Sequence, residues 1–188
     1  SKLMETAFGM EHNYLEQICK PDDINALYKK YYDFMLERYH ICAGFLPYDI
    51  LDPRADEYMN NPAVTSFRIP YDGKPETITA YYNKLKTNPD WLKKGYYYVV
   101  DEPQCMADYE RIEKAYEFIE KYHPDHAQVV PFYMNPSDGN GTRAVDLLAR
   151  HCKVWCPKIS LFKDDYMGEF MLSREKMGDR TWWYYCWE

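Results

Sequence analysis

Gly95-Tyr96-Tyr97-Tyr98-Val99-Val100-Asp101-Glu102-Pro103 joins a short, unbroken apolar run directly to two adjacent carboxylates. A run of this length, opened by Gly, reads as a strand covered on both faces, as in a parallel sheet flanked by helices. Pro103 supplies a break. Beyond it Ala107, Tyr109, Ile112, Ala115, Tyr116, Phe118 and Ile119 recur at helical spacing, so the local order is strand, acidic turn, helix. In an α/β barrel, side chains at the carboxyl end of a strand point into the catalytic mouth, and that position favours chemistry for Asp101 and Glu102. The competing reading is that the pair merely caps the helix or meets its dipole.

The same alternation extends in both directions. Upstream, Thr6 to Met10, His40 to Leu46 and Ala63 to Ile69 read as strands. They are separated by a helix over Ile24 to Leu36, introduced by Pro21-Asp22-Asp23, and by a polar, Pro-containing connection. Thr77 to Leu85 reads as a helix, with Ile78, Tyr81, Tyr82 and Leu85 on one face. Downstream, Ala127 to Met134 and Val154 to Cys156 read as strands, with a loop from Asn135 to Gly141 and a short helix over Val145 to Ala149 between them. Leu161 to Met177 reads as partly helical, and Trp182 to Glu188 as a final aromatic strand. Strands alternating with helices require a parallel sheet. The expected fold is α/β, a TIM-type (β/α) barrel over residues 1–188 as a single domain. Because an eight-unit barrel typically needs about 250 residues, a chain of 188 reads as a partial barrel lacking its last β/α unit, a fragment of a longer protein. An open doubly wound sheet is the rival architecture, but the first strand-to-helix turn carries no Gly-rich phosphate loop.

Composition narrows the function classes. The net charge of -7 and the lack of a dense basic run argue against a nucleic-acid partner, and no stretch is long and apolar enough to cross a bilayer. Six cysteines are present without a Cys-x-x-Cys pair, which favours free thiols and leans toward a reducing, cytoplasmic compartment; a secreted origin stays open. The five histidines form no i, i+4 pair, so no metal site is expected, and nothing calls for a cofactor. Tyrosine is the outlying residue, at 20 copies. Gathered at strand ends, such rings offer flat apolar faces and polar tips suited to sugars.

Together, the Tyr96 to Pro103 run, Val154-Trp155-Cys156-Pro157-Lys158 and the closing Trp182-Trp183-Tyr184-Tyr185-Cys186-Trp187 resemble the catalytic barrel of glycoside hydrolase family 123. The first stretch is the most specific, and Thr6-Ala7-Phe8-Gly9 is compatible with that family's first strand. The resemblance implies retaining hydrolysis of β-linked N-acetylgalactosaminides, in which the substrate's own acetamido oxygen is the nucleophile. The adjacent acidic pair of that motif matches Asp101 and Glu102. Physically, the acetamido group already lies beside the anomeric carbon, so its attack is intramolecular. The protein adds a carboxylate to hold the amide N–H and stabilise the oxazolinium, assigned to Asp101, and an acid for the leaving oxygen, assigned to Glu102. Successive strand residues point to opposite faces, so both reach one pocket only if the strand ends or bulges at this point.

Tyr133, Asn135, Trp155, Tyr185 and Trp187 are the candidate sugar contacts at other strand ends, each with core packing as its alternative. Two rivals accompany the main reading. One is a two-carboxylate retaining glycosidase using Glu102 and Glu188, whose carboxyls would stand about 5 to 5.5 Å apart. The other is a non-catalytic, carbohydrate-binding barrel remnant with open sheet edges.

Overall fold

The computed structural model describes residues 21–42, 44–124, 126–163 and 165–181. The chain is an α/β protein whose contacts divide it into two compact units, Ser1–Phe67 and Arg68–Glu188.

Among the described residues, the first unit holds two helices, α1 (Pro21–Tyr39) and α2 (Ala55–Asn60). Their packing is aromatic: Tyr32 meets Tyr58 edge to face with ring centroids 5.5 Å apart, and the Tyr58 hydroxyl donates to Asp33 Oδ1 at 2.7 Å. Burial and that carboxylate push the Tyr58 phenol up to about 12. The strand expected at His40 to Leu46 does not form. His40 adopts a left-handed φ of 56° that ends α1, with its N–H on the Leu36 carbonyl at 3.0 Å, and Gly44 follows at φ 132°. Two such residues within five positions break any extended run. The helix α2 fell in what the sequence presented as a polar connection.

Among the described residues the sheet is open and has five strands in the order β1 (Phe67–Arg68), β2 (Gly95–Tyr97), β3 (Ala127–Phe132), β4 (Val154–Pro157) and β5 (Arg180–Thr181), all but Phe67 in the second unit. The β2 to β5 neighbours pair in parallel, with Tyr96 opposite Ala127, Val130 opposite Trp155 and Val154 opposite Arg180. At the β1 edge, the Ile69 N–H donates to the Tyr96 carbonyl at 2.8 Å. The connections carry α3 (Pro75–Leu85), α4 (Pro89–Lys94), α5 (Met106–Tyr122), α6 (Ala144–Leu148), a 3₁₀ turn over Ile159–Lys163, and α7 (Asp165–Lys176). Spatial order thus equals chain order throughout, without the reversal that defines a doubly wound sheet. With right-handed crossovers, all connecting helices then fall on one face.

Side chains sort accordingly. Tyr97 reaches His123 at the end of α5, and Trp155 packs edge to face on Phe170 of α7, so these face the helices. Tyr96, Val129, Val154 and Cys156 form a separate buried cluster, with Tyr98 and Ala127 packed against it, on the opposite face. A Cβ at Gly95 would lie 2.9 Å from Ile69 Cδ1, so any larger residue there requires the Ile69 side chain to move aside. Two sequence expectations shift in position. The strand expected to run to Val100 stops at Tyr97, and β5 lies at Arg180–Thr181, just before the expected aromatic strand. The strands expected at Thr6 to Met10 and at Trp182 to Glu188 lie outside the described residues.

Candidate functional site

The turn after β2 is held from both sides. Arg68 Nη2 donates to the Tyr98 carbonyl at 2.6 Å, and its guanidinium lies 4.5 Å from the centroid of the Tyr98 ring. The Tyr98 hydroxyl in turn donates to Asp101 Oδ1. Burial, then the Asp101 hydrogen bond and charge, raise the Tyr98 phenol well above the ordinary tyrosine range, so it remains a donor; the Glu102 charge acts in the same direction. Asp101 is exposed and Glu102 half-buried, and Glu102 sits at a left-handed φ of 45°. A non-glycine residue there costs about 1 kcal/mol or more, and such strain is held only where the surroundings fix it.

The regular strand ends at Tyr97, four residues before Asp101, so strict alternation no longer governs the pair, and both carboxylates act on the same Tyr98 phenol. The capping alternative finds no support in the helix that follows. The first turn of α5 is capped by Asp108, whose Oδ2 accepts from the backbone N–H of Gln104 at 3.0 Å and of Cys105 at 3.4 Å. Asp101 and Glu102 are left outside that cap.

Tyr133 and Asn135 follow β3 at the same, carboxyl-terminal edge of the sheet. Tyr133 is half-buried, and the backbone next to it is fixed by the Tyr109 hydroxyl, which donates to the Met134 carbonyl at 2.5 Å. The Asn135 amide is engaged locally: its Oδ1 accepts from the Val145 N–H at 3.2 Å, and its Nδ2 meets Met167 Sδ at 3.3 Å. Trp155 requires a correction. It is 0% exposed, lies against Phe132 and Phe170, and donates from Nε1 to Asp179 Oδ2 at 2.8 Å, so it is a core residue of the helix-facing side and offers no surface to a sugar. Tyr185, Trp187 and Glu188 lie outside the described residues.

Sequence reading passed over two groups. Arg68 is one. It falls at the carboxyl end of a strand, but a lone Arg beside Ile69 and Pro70 carries no motif. The other is a constellation in the helix layer, where Glu113 and Glu117 of α5 meet His151. The i, i+4 spacing of the two glutamates was visible, whereas their meeting with a histidine more than thirty residues on depends on tertiary packing. No protein-family model matches the chain, and comparison with curated proteins returns no match.

Proposed function

We propose that the chain is the catalytic part of a retaining glycoside hydrolase. It would remove β-linked N-acetylhexosamine, N-acetylgalactosamine being favoured, by substrate-assisted catalysis on a sheet that is an arc of a TIM-type barrel. One observation carries the reading. Asp101 and Glu102, consecutive in the chain, follow the carboxyl end of an interior strand of the sheet, ahead of a helix whose first turn Asp108 caps, with Glu102 held left-handed and both charges raising the Tyr98 phenol. The sequential strand order supports the barrel element, since a barrel wall has that order and a doubly wound sheet does not. The motif resemblance to glycoside hydrolase family 123 supports the choice of reaction.

In this reaction the 2-acetamido oxygen attacks the anomeric carbon while Glu102 delivers its proton to the departing glycosidic oxygen. Asp101 accepts the amide N–H and stabilises the positive charge of the oxazolinium as it forms. Water then attacks the anomeric carbon, and Glu102 takes its proton, opening the ring with net retention. Tyr98 fixes the Asp101 carboxylate, and Arg68 fixes Tyr98, so the first carboxylate is oriented before substrate arrives.

Binding of a thiazoline mimic of the cyclised sugar, followed by calorimetry, tests the reading, because such a compound copies the intermediate. The chain is expected to bind it, and Asp101→Asn to lose that binding. It is also expected to hydrolyse an aryl β-N-acetylgalactosaminide, with Glu102→Gln slower by about 100-fold or more. Thiazoline binding that survives Asp101→Asn, or no binding at all, would remove the substrate-assisted mechanism.

A further inference from the structure

Glu113 and Glu117 lie one helical turn apart on α5, and His151, in the turn between α6 and β4, faces both. One ligand atom from each of the three lies within 4.8 Å of the others. His151 enters β4 at its amino end, whereas Asp101 and Glu102 follow the carboxyl end of β2, so the constellation stands at the opposite edge of the parallel sheet from the acidic pair.

The hydrogen bonding of the imidazole is what singles out this group from an ordinary acidic surface. The His151 side chain is only 12% exposed, and its Nδ1 lies 2.9 Å from Glu120 Oε2. A carboxylate only accepts, so Nδ1 carries a proton and donates. Nε2 is buried, has no hydrogen-bond partner, and lies 3.9 Å from Glu117 Oε1. Nε2 is thus a buried ring nitrogen that faces carboxylates without a hydrogen bond of its own, in a place water does not reach, and a positive centre held between them would satisfy it. A carboxylate on Nδ1–H with Nε2 left free is the arrangement that orients metal-bound histidines.

We propose that His151 Nε2 and the Glu113 and Glu117 carboxylates form a binding site for a divalent first-row cation such as zinc, with Glu120 as a positioning residue that fixes the tautomer. One nitrogen and two oxygens suit such an ion and leave a position for water. Arg150 Nη1 donates to Glu113 Oε1 at 2.9 Å, so the guanidinium balances part of the acidic charge. Around a tetrahedral zinc, ligand atoms stand roughly 3.3 Å apart. Glu117, whose side chain is 57% exposed, has the freedom to swing inward by the missing distance. At the amino-terminal edge of the sheet the ion would be structural, tying α5 to the turn that enters β4.

The test is calorimetric titration of zinc into chelator-treated protein, with thermal melts alongside. One equivalent is expected to bind and to raise the melting midpoint by several degrees. Glu117→Gln and His151→Ala should lose the saturable uptake, and Glu120→Gln should weaken it by about 10- to 100-fold at unchanged stoichiometry. Glu117 and Glu120 are exposed, so their variants report on binding even if the His151 variant fails to fold. Three results would each overturn the site. One is no saturable uptake of zinc, manganese or cobalt. Another is uptake unchanged in Glu117→Gln, which would place the ion elsewhere. The last is a nitrogen spectrum showing His151 Nε2 still protonated in excess zinc, which would make the group an imidazolium held by glutamates.

Discussion

The Tyr98 hydroxyl donates to the Asp101 carboxylate three residues further on, and the Tyr98 backbone carbonyl is itself gripped by Arg68 at 2.6 Å. The carboxylate proposed to hold the substrate amide is thus oriented by a side chain from the end of its own strand. A hydrogen bond to a charged group contributes about 1.5–3 kcal/mol when sheltered and less at an exposed carboxylate such as this. Tyr98→Phe is therefore expected to lower kcat toward an aryl N-acetylgalactosaminide by roughly tenfold, about 1.4 kcal/mol, with a smaller change in KM. Steady-state kinetics on the purified variant check this, and unchanged kcat would remove Tyr98 from the orienting role.

Glu102 combines a proposed chemical role with a backbone position that resists most side chains. Its φ of 45° lies in the region glycine enters without cost. Glu102→Gly should therefore remain within about 1 kcal/mol of the parent in urea unfolding, the relief of strain offsetting the added freedom of the unfolded chain. Glu102→Val, β-branched at the same φ, should fall about 1–2 kcal/mol below the glycine variant. Both should be catalytically dead. Equal stabilities for the two variants would show that the left-handed conformation is not retained in solution.

Much of this arrangement was written locally. The apolar run opened by Gly95, the helix over Met106–Tyr122 and the acids between them follow from periodicity and from Pro103, and each lies close to where the pattern places it. What escaped reading depends on backbone choices or distant partners. The apolar stretch from His40 to Leu46 fails as a strand because His40 and Gly44 take positive φ, and the hydropathy of the segment carries no trace of that. Trp155 looked like a sugar platform from its strand-end position. Its edge-to-face contact with Phe170 of α7 shows that it turns toward the helices, and Asp179 takes its indole N–H. Likewise His151 carries no motif until α5 is packed against it.

His123 gives the unit an acid-sensitive point. It is 1% exposed, its Nδ1 pairs with the Tyr97 hydroxyl at 3.1 Å, and burial, with His126 beside it, lowers its pKa to about 3 from an ordinary 6.5. The folded state therefore holds a neutral ring, while the unfolded chain takes up a proton below 6.5. The contribution to stability is fully present above that value and is lost as pH falls toward about 3. The slope should approach about 1.4 kcal/mol per pH unit in the middle of the window. Urea unfolding at pH 7.5, 5.5 and 4.5 measures it, and His123→Phe should flatten the slope whatever it does to absolute stability. An equal slope in the variant would assign the acid sensitivity to other groups.

At the far side of the sheet, Asp179 has two buried partners. Its Oδ2 accepts from Trp155 Nε1 at 2.8 Å and from Arg174 Nε at 2.6 Å, with the Asp179 and Arg174 side chains only 3% and 9% exposed. Removing the carboxylate leaves a buried guanidinium unpaired and the indole N–H unsatisfied, and each of these is costly away from water. Asp179→Ala is therefore expected to lose about 3–5 kcal/mol. Arg174→Met should lose less, because Asp179 then keeps the indole N–H while Met fills the space left by the Arg stem. Trp155→Phe removes the indole N–H and part of the ring, and should cost about 2–4 kcal/mol while leaving the KM of the proposed reaction unchanged in the folded variant. Denaturant unfolding of the three variants, with kinetics on Trp155→Phe, checks the ranking. A Trp155→Phe protein of full stability but raised KM would return that indole to the sugar site.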